Sequence, residues 1–296
     1  MPTAPANGIE LWYETIGDPD DAPLLLVSGL GSQGITWADD FCKAFAREGF
    51  YVIRFDNRDV GLSTKIESPQ LNFAEELAKG FSGERVNAPY VLSDMAADAV
   101  GLLDHLGIDS AHIVGASMGG MIVQTMAIEH PERVRTMTSI MSTTGERDVG
   151  HPTPEAGASL LKPPATSRDE FIESYVDTWR ILAGPVHFTD ERFRTRAGVV
   201  YDRCYFPVGT GRQLLGVLGS GSRADRLREL QVPTLVIHGV IDPLVGVSGG
   251  RRTAELIPGA ELVEFDDMGH DVPPGLFAQI VDAIVRHASK VGSPSS

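Results

Sequence analysis

The sequence predicts an α/β fold: a mainly parallel central sheet flanked by helices, with a mostly helical cap inserted in its second half. Three observations carry this. Short runs of β-branched and aliphatic residues alternate with longer stretches of helical periodicity, the pattern of βαβ units. The joints between these units are short. The alternation breaks after Gly145, where Pro152, Pro154, Pro163 and Pro164 punctuate a polar stretch, and it resumes near residue 225.

Taken in order, Ile9–Ile16 reads as an edge strand, residues 24–27 as a buried strand and residues 51–55 as a third. Over residues 93–106, Met95, Val100, Leu102, Leu103 and Leu106 recur at helical spacing, and Gly107 accommodates a left-handed terminus. Residues 111–116 form a compact apolar strand, 118–129 a helix stopped near Pro131, and 134–141 a further strand. Inside the inserted stretch, residues 171–182 make an amphipathic helix bearing Tyr175 and Trp179. A strand over 234–237, a helix over 249–257 before Pro258, a last strand over 262–265 and a closing helix over 276–287 complete the pattern. The tail Ser293-Pro294-Ser295-Ser296 is expected to fray. This divides the chain into a core of residues 1–145 and 225–296 and a cap of residues 146–224.

The 296 residues, 42% hydrophobic and 22% charged, suffice for one large core with an insertion. A net charge of −15 repels phosphates and anionic headgroups, which argues against nucleic acid or a membrane surface as partner. The N-terminus has neither a cationic start nor an apolar core, and no later stretch reaches the ~18 apolar residues of a membrane span, so a cytoplasmic location is expected. Cys42 and Cys204 stand far apart without a partner motif, which indicates neither a disulfide framework nor a zinc site. Asp18, Asp20 and Asp21 lack the ligand ladder and glycine of a calcium loop and read as a solvated turn.

Gly115-Ala116-Ser117-Met118-Gly119 falls between an expected strand and an expected helix, where a sharp turn presents Ser117 as a nucleophile. A serine hydroxyl is nearly inert at neutral pH, so it needs a base of near-neutral pKa and a group that fixes the base's tautomer. Of the eight histidines His270 is the candidate base, because Met268-Gly269-His270-Asp271 follows the last expected strand, at the sheet edge where loops gather. His105, His112, His130 and His287 read as capping or surface residues, and His151 and His187 as loop residues of the cap. Asp242 follows a buried strand directly and Pro243 fixes the backbone after it, which favours it as the orienting acid over Asp148, Asp266, Asp267 and Asp271. Two backbone donors for an oxyanion are expected from the amides of Met118, after the nucleophile, and Leu30, in the loop Ser28-Gly29-Leu30-Gly31. The polar stretch from Arg54 to Ser63 reads as a structural turn held by charge-assisted hydrogen bonds. Met118, Met121 and Met126 read as core.

With elbow, acid turn, late histidine and glycine loop in this order, the sequence resembles the α/β-hydrolase superfamily, in which the cap is inserted after the sixth strand. Glu10-Leu11-Trp12 to Gly17-Asp18-Pro19, Val52-Ile53-Arg54-Phe55-Asp56 with Arg58 and Gly61, and Ala96-Ala97-Asp98-Ala99-Val100 look like the aclacinomycin methylesterase group and its esterase relatives. That resemblance implies Ser117, Asp242 and His270 as a triad, and the amides of Leu30 and Met118 as the oxyanion hole. The sequence departs from the group in the cap, from Gly145 to Arg223, where relatives differ most in substrate and no substrate-defining motif is recognised, and Ser28 stands where many relatives have a histidine.

The expected reaction is acyl transfer from a neutral, small to medium carboxylic ester through an acyl-enzyme, with no metal or organic cofactor. Activity should fall at acid pH as the base is protonated. The cap aromatics Trp179, Tyr175, Phe206, Phe171, Tyr205 and Phe188 are available to line an apolar pocket. Carbon–carbon bond hydrolysis, lactone opening and perhydrolysis use the same triad, and a ligand-binding receptor on a hydrolase scaffold is the rival from another class. A serine at position 117 argues against chemistry that needs a carboxylate nucleophile there.

Overall fold

The computed structural model describes residues 2–67 and 72–291, so the expected fraying of the C-terminal tail lies outside the described residues. Eight strands form one sheet: β1 (Thr3–Ala6), β2 (Ile9–Ile16), β3 (Ala22–Val27), β4 (Phe50–Phe55), β5 (Ala111–Ala116), β6 (Val134–Ile140), β7 (Thr234–Gly239) and β8 (Glu261–Phe265). Their spatial order is β1-β2-β4-β3-β5-β6-β7-β8, antiparallel from β1 to β4 and parallel from there on. The expectation of Ile9–Ile16 as an edge strand is corrected. The short β1 pairs with it from outside, Ala4 against Leu11, and takes the edge. Pro5 is tolerated there because an edge strand needs only half of its ladder bonds.

Alternation along the central strands makes two cores. Leu25 and Val27 of β3 face helices α3 (Leu92–His105) and α4 (Met118–Glu129), packing with Leu102, Ile122 and Met126. Leu24 and Leu26 face helices α1 (Asp39–Arg47) and α11 (Phe277–Ala288), packing with Phe41, Phe45 and Ile284. Strands buried on both faces need continuous apolar runs, and Leu24-Leu25-Leu26-Val27 is one. Helix α2 (Phe73–Ser82) precedes α3, and α10 (Ser248–Leu256) joins β7 to β8.

Between β6 and β7 the chain runs through α5 (Pro154–Ser159), α6 (Arg168–Leu182), α7 (Asp190–Arg203), α8 (Pro207–Ser220) and α9 (Ala224–Leu227). Helices α6 and α7 share a small core of their own, in which Phe193 stacks against Trp179 and Phe188 with ring centroids 5.3 Å away. The turn after β4 fastens this helical segment to the sheet. Asp56 pairs with Arg203 of α7 at 2.8 Å, Asp59 pairs with Arg212 of α8 at 3.3 Å, and Arg58 binds Asp98 of α3 at 2.6 and 2.7 Å. The structural reading of residues 54–63 is thus realised as a buried set of charge-assisted bonds. Among the described residues no helix is long and apolar enough to cross a membrane.

Candidate active site

Strand register decides what meets at one end of the sheet. Val27 pairs with Gly115, Ala116 with Ile140, and Ile140 with Ile237, so the carboxyl ends of β3, β5, β6 and β7 lie side by side. The loops leaving these ends converge there.

Strand β5 stops at Ala116 and α4 starts at Met118, so Ser117 alone makes the turn, with φ 57° and ψ −120°. A non-glycine residue held in such a region costs on the order of 1–3 kcal/mol. The surroundings hold it: the Ser117 N–H donates to the Ile140 carbonyl at 2.9 Å, and its own carbonyl accepts from the Ser142 hydroxyl at 2.8 Å. A Cβ on Gly119 would lie 2.1 Å from the Val27 carbonyl oxygen, so only glycine lets α4 start this close to β3.

The loop after β3 presses against the serine from the other side. A Cβ on Gly29 would lie 3.2 Å from Ser117 Cβ. Leu30 is half-buried at the site, and Met118, as the first residue of α4, has no intrahelical acceptor for its N–H. Both residues line the same cavity as Ser117.

Strands β7 and β8 supply the other two groups. His270 Nδ1 bonds Asp242 Oδ2 at 2.7 Å, and the backbone N–H of His270 donates to Leu182 O, the end of α6, at 2.6 Å. The second carboxylate oxygen of Asp242 accepts from the amides of Leu244 and Val245 at 2.8 and 2.9 Å. His238 lies beside this pair. Burial pushes its imidazole below the ordinary histidine range despite the nearby Asp242 charge, and its Nε2 bonds the Val245 carbonyl at 2.7 Å. A neutral His270 that directs its Nδ1–H at Asp242 carries its ring lone pair on Nε2. Ser117 and His270 both line the cavity, and no hydrogen bond joins their side chains among the described residues.

The cavity encloses about 1210 Å³. Trp179, Tyr175, Phe206, Phe171 and Tyr205 line it as the sequence suggests, whereas Phe188 is turned into the core of α6 and α7 and does not. Met121 also lines it, while Met126 is fully buried in the core. His151 and His187 stay outside, His187 pairing with Asp267 at 3.2 Å. Asp148 is exposed. Asp271, expected as a solvated loop carboxylate, is instead buried between Arg192 at 2.7 Å and Arg196 at 3.4 Å. The Arg196 guanidinium lies over Trp179, 5.6 Å from its centroid, and lines the cavity. Sequence reasoning missed this cluster because its arginines come from α7, some seventy-five residues before their carboxylate. Similarly, His112 and His287, read as surface or capping residues, are buried and bonded to Thr136 and to Glu261 and Pro233. Among the described residues no three His, Cys, Asp or Glu side chains cluster as metal ligands do.

A positive-φ serine at a helix start, a carboxylate-bound imidazole, and Leu30 and Met118 beside the serine line one largely apolar cavity, an arrangement that suits acyl transfer. Residues 22–273 match the α/β-hydrolase fold family, and the chain belongs to it as a hydrolase of this family. Among curated relatives it is similar to rhodomycin D methylesterase DnrP of Streptomyces peucetius, with 32% identity covering 97% of this chain and 98% of the relative. Rhodomycin D methylesterase DauP of Streptomyces sp. (strain C5) is also 32% identical, over 94% of this chain and 95% of the relative. Among solved structures a meta-cleavage product hydrolase from Pseudomonas fluorescens IP01 superimposes with a TM-score of 0.76 at 23% identity, covering 98% of both chains, a likeness of fold.

Proposed function

We propose that this protein is a serine carboxylic ester hydrolase with Ser117 as nucleophile, His270 as base and Asp242 as the residue orienting that base. The observation that carries the reading is the single cavity shared by the positive-φ serine and the imidazole bonded to Asp242. Ser117 Oγ attacks the ester carbonyl as His270 Nε2 takes its proton, and the oxyanion rests on the amides of Leu30 and Met118. His270 returns the proton to the departing alcohol, and water then cleaves the acyl-enzyme in the same way. The approach of substrate closes the hydroxyl–imidazole contact, which is often loose in an unliganded site.

The segment of residues 146–224 acts as a cap that roofs the cavity with Trp179, Tyr175 and Phe206, and the substrate is a neutral, small to medium ester with apolar bulk. The same three side chains would also serve carbon–carbon or lactone hydrolysis. The two relatives at 32% identity, both methylesterases by name, favour an ester. Turnover of p-nitrophenyl and methyl esters by the native chain and by Ser117→Ala tests this. The reading expects a loss of at least about 10³-fold in kcat, and retention of activity in the variant would sink it.

A further inference from the structure

The loop that bears the Leu30 amide is bracketed by two glycines, Gly29 and Gly31, the second at φ +65°. The freedom that lets this loop bend toward Ser117 also lets its peptide planes rotate; the Ser32 N–H donates to the Gly29 carbonyl at 3.1 Å and Asn57 Nδ2 to the Ser28 carbonyl at 3.0 Å, which leaves the Leu30–Gly31 peptide between them to be held from outside. For that peptide the restraint comes from the helical segment between β6 and β7. Gln213 of α8, fully buried, accepts the Gly31 N–H on Oε1 at 2.8 Å and donates from Nε2 to the Arg58 carbonyl at 2.8 Å. Thr210, one turn earlier on the same face, fills the space beside Gly31, where a Cβ would lie 2.8 Å from Thr210 Oγ1. Two residues on, the buried Gln33 donates from Nε2 to the carbonyls of Val200 and Cys204 at the end of α7, both at 2.9 Å. The Gly34 N–H is held by Asp56 Oδ1 at 2.7 Å.

We infer that Gln213 is a positioning residue for the oxyanion hole: by fixing the Gly31 amide it sets the peptide next to Leu30 N–H, and it makes a competent hole depend on docking of α8. This deepens the ester-hydrolase reading and rests on it. Preorganised donors stabilise a transition state only if they need not reorient as charge develops. A mobile Gly31 amide makes Leu30 reorient, so its loss lowers kcat and leaves substrate binding in the cavity nearly as it was. Gln213 touches neither the reacting atoms nor, through its fully buried side chain, the substrate.

The test compares Gln213→Leu, which removes both bonds, with Gln213→Glu, which keeps an acceptor for Gly31 and loses the donor to Arg58. Asp202→Asn serves as control, breaking the exposed Arg168–Asp202 pair of the same helical segment far from the loop. Steady-state kinetics on a p-nitrophenyl ester and amide hydrogen exchange of residues 29–33 are read together. Gln213→Leu is expected to lose roughly tenfold or more in kcat at a KM within about twofold, with faster exchange at Gly31. Gln213→Glu should keep most of the native kcat, and Asp202→Asn all of it. The inference is overturned if Gln213→Leu keeps native kcat, if its defect lies in KM, or if Gln213→Glu falls as far as Gln213→Leu. A native chain inert toward esters would instead refute the hydrolase reading, and this inference with it, before any substitution is made.

Discussion

His270 Nδ1 and Asp242 Oδ2 lie 2.7 Å apart, and the amides of Leu244 and Val245 hold the other Asp242 oxygen, so the carboxylate cannot turn away from the imidazole. In the proposed mechanism Asp242 does two things: it keeps the proton on Nδ1, and it stabilises the imidazolium that forms when Ser117 is deprotonated. Asp242→Asn preserves the shape but offers an amide N–H or a weaker acceptor to the ring. Its kcat on p-nitrophenyl esters should fall by about 10³- to 10⁴-fold with the fold intact by circular dichroism. A fall of less than about tenfold would remove Asp242 from the triad.

The elbow's glycine is a packing requirement, so its replacement is expected to act on stability first. Gly119→Ala places a methyl 2.1 Å from the Val27 carbonyl oxygen, where neither α4 nor β3 can give way without moving Ser117. The expected cost is at least about 3 kcal/mol in urea unfolding. A variant of native stability would mean that the strand and helix are further separated than the structure has them.

Burial, with the nearby charges of Arg135 and His287, pushes the His112 imidazole down to about 4. Native His112 therefore excludes a proton that the unfolded chain binds below its ordinary value near 6.5. The sign follows: His112 leaves full stability in place above about pH 6.5 and removes it as pH falls toward 4, by on the order of 3 kcal/mol in total. The buried His238 is shifted the same way. Unfolding free energies measured from pH 7 to 4 should fall less steeply for His112→Asn, which binds no proton in either state. An unchanged slope would contradict the assignment.

A cavity of about 1210 Å³ walled by aromatic and aliphatic side chains should reward apolar bulk in the substrate. At about 0.8 kcal/mol per buried methylene, kcat/KM is expected to rise several-fold per added carbon at the short end of a p-nitrophenyl ester series. Trp179→Ala should flatten that rise. A series that peaks at acetate would argue that the cavity does not hold the acyl chain.

What the sequence revealed of this fold depended on how local the signal is. The elbow at 115–119, the acid turn at Asp242 and the helix-strand alternation around them were legible because each is set by neighbours within one turn or strand. The sequence reading passed over β1, a strand of four residues containing Pro5, and α1. It also passed over α8, whose sequence Pro-Val-Gly-Thr-Gly-Arg-Gln reads as a loop by helix propensity. In the folded protein α8 is held by what it packs on: a Cβ on Gly209 would meet the Asp59 carbonyl oxygen at 2.0 Å. The same distance in sequence hid Gln213 and the Arg192–Asp271–Arg196 cluster, since such partners are brought together only by tertiary packing. The sequence therefore pointed to the residues that meet in the loops at the sheet end, and not to the residues that hold those loops.

The most direct measurement of the central claim is the mass and position of a covalent adduct. The chain is treated with an active-site fluorophosphonate, digested and mapped by mass spectrometry, alongside Ser117→Ala. The account predicts one stoichiometric phosphonyl adduct on the peptide containing Ser117, absent from the variant together with ester turnover. A native chain that stays unmodified, or an adduct on another residue, would contradict it.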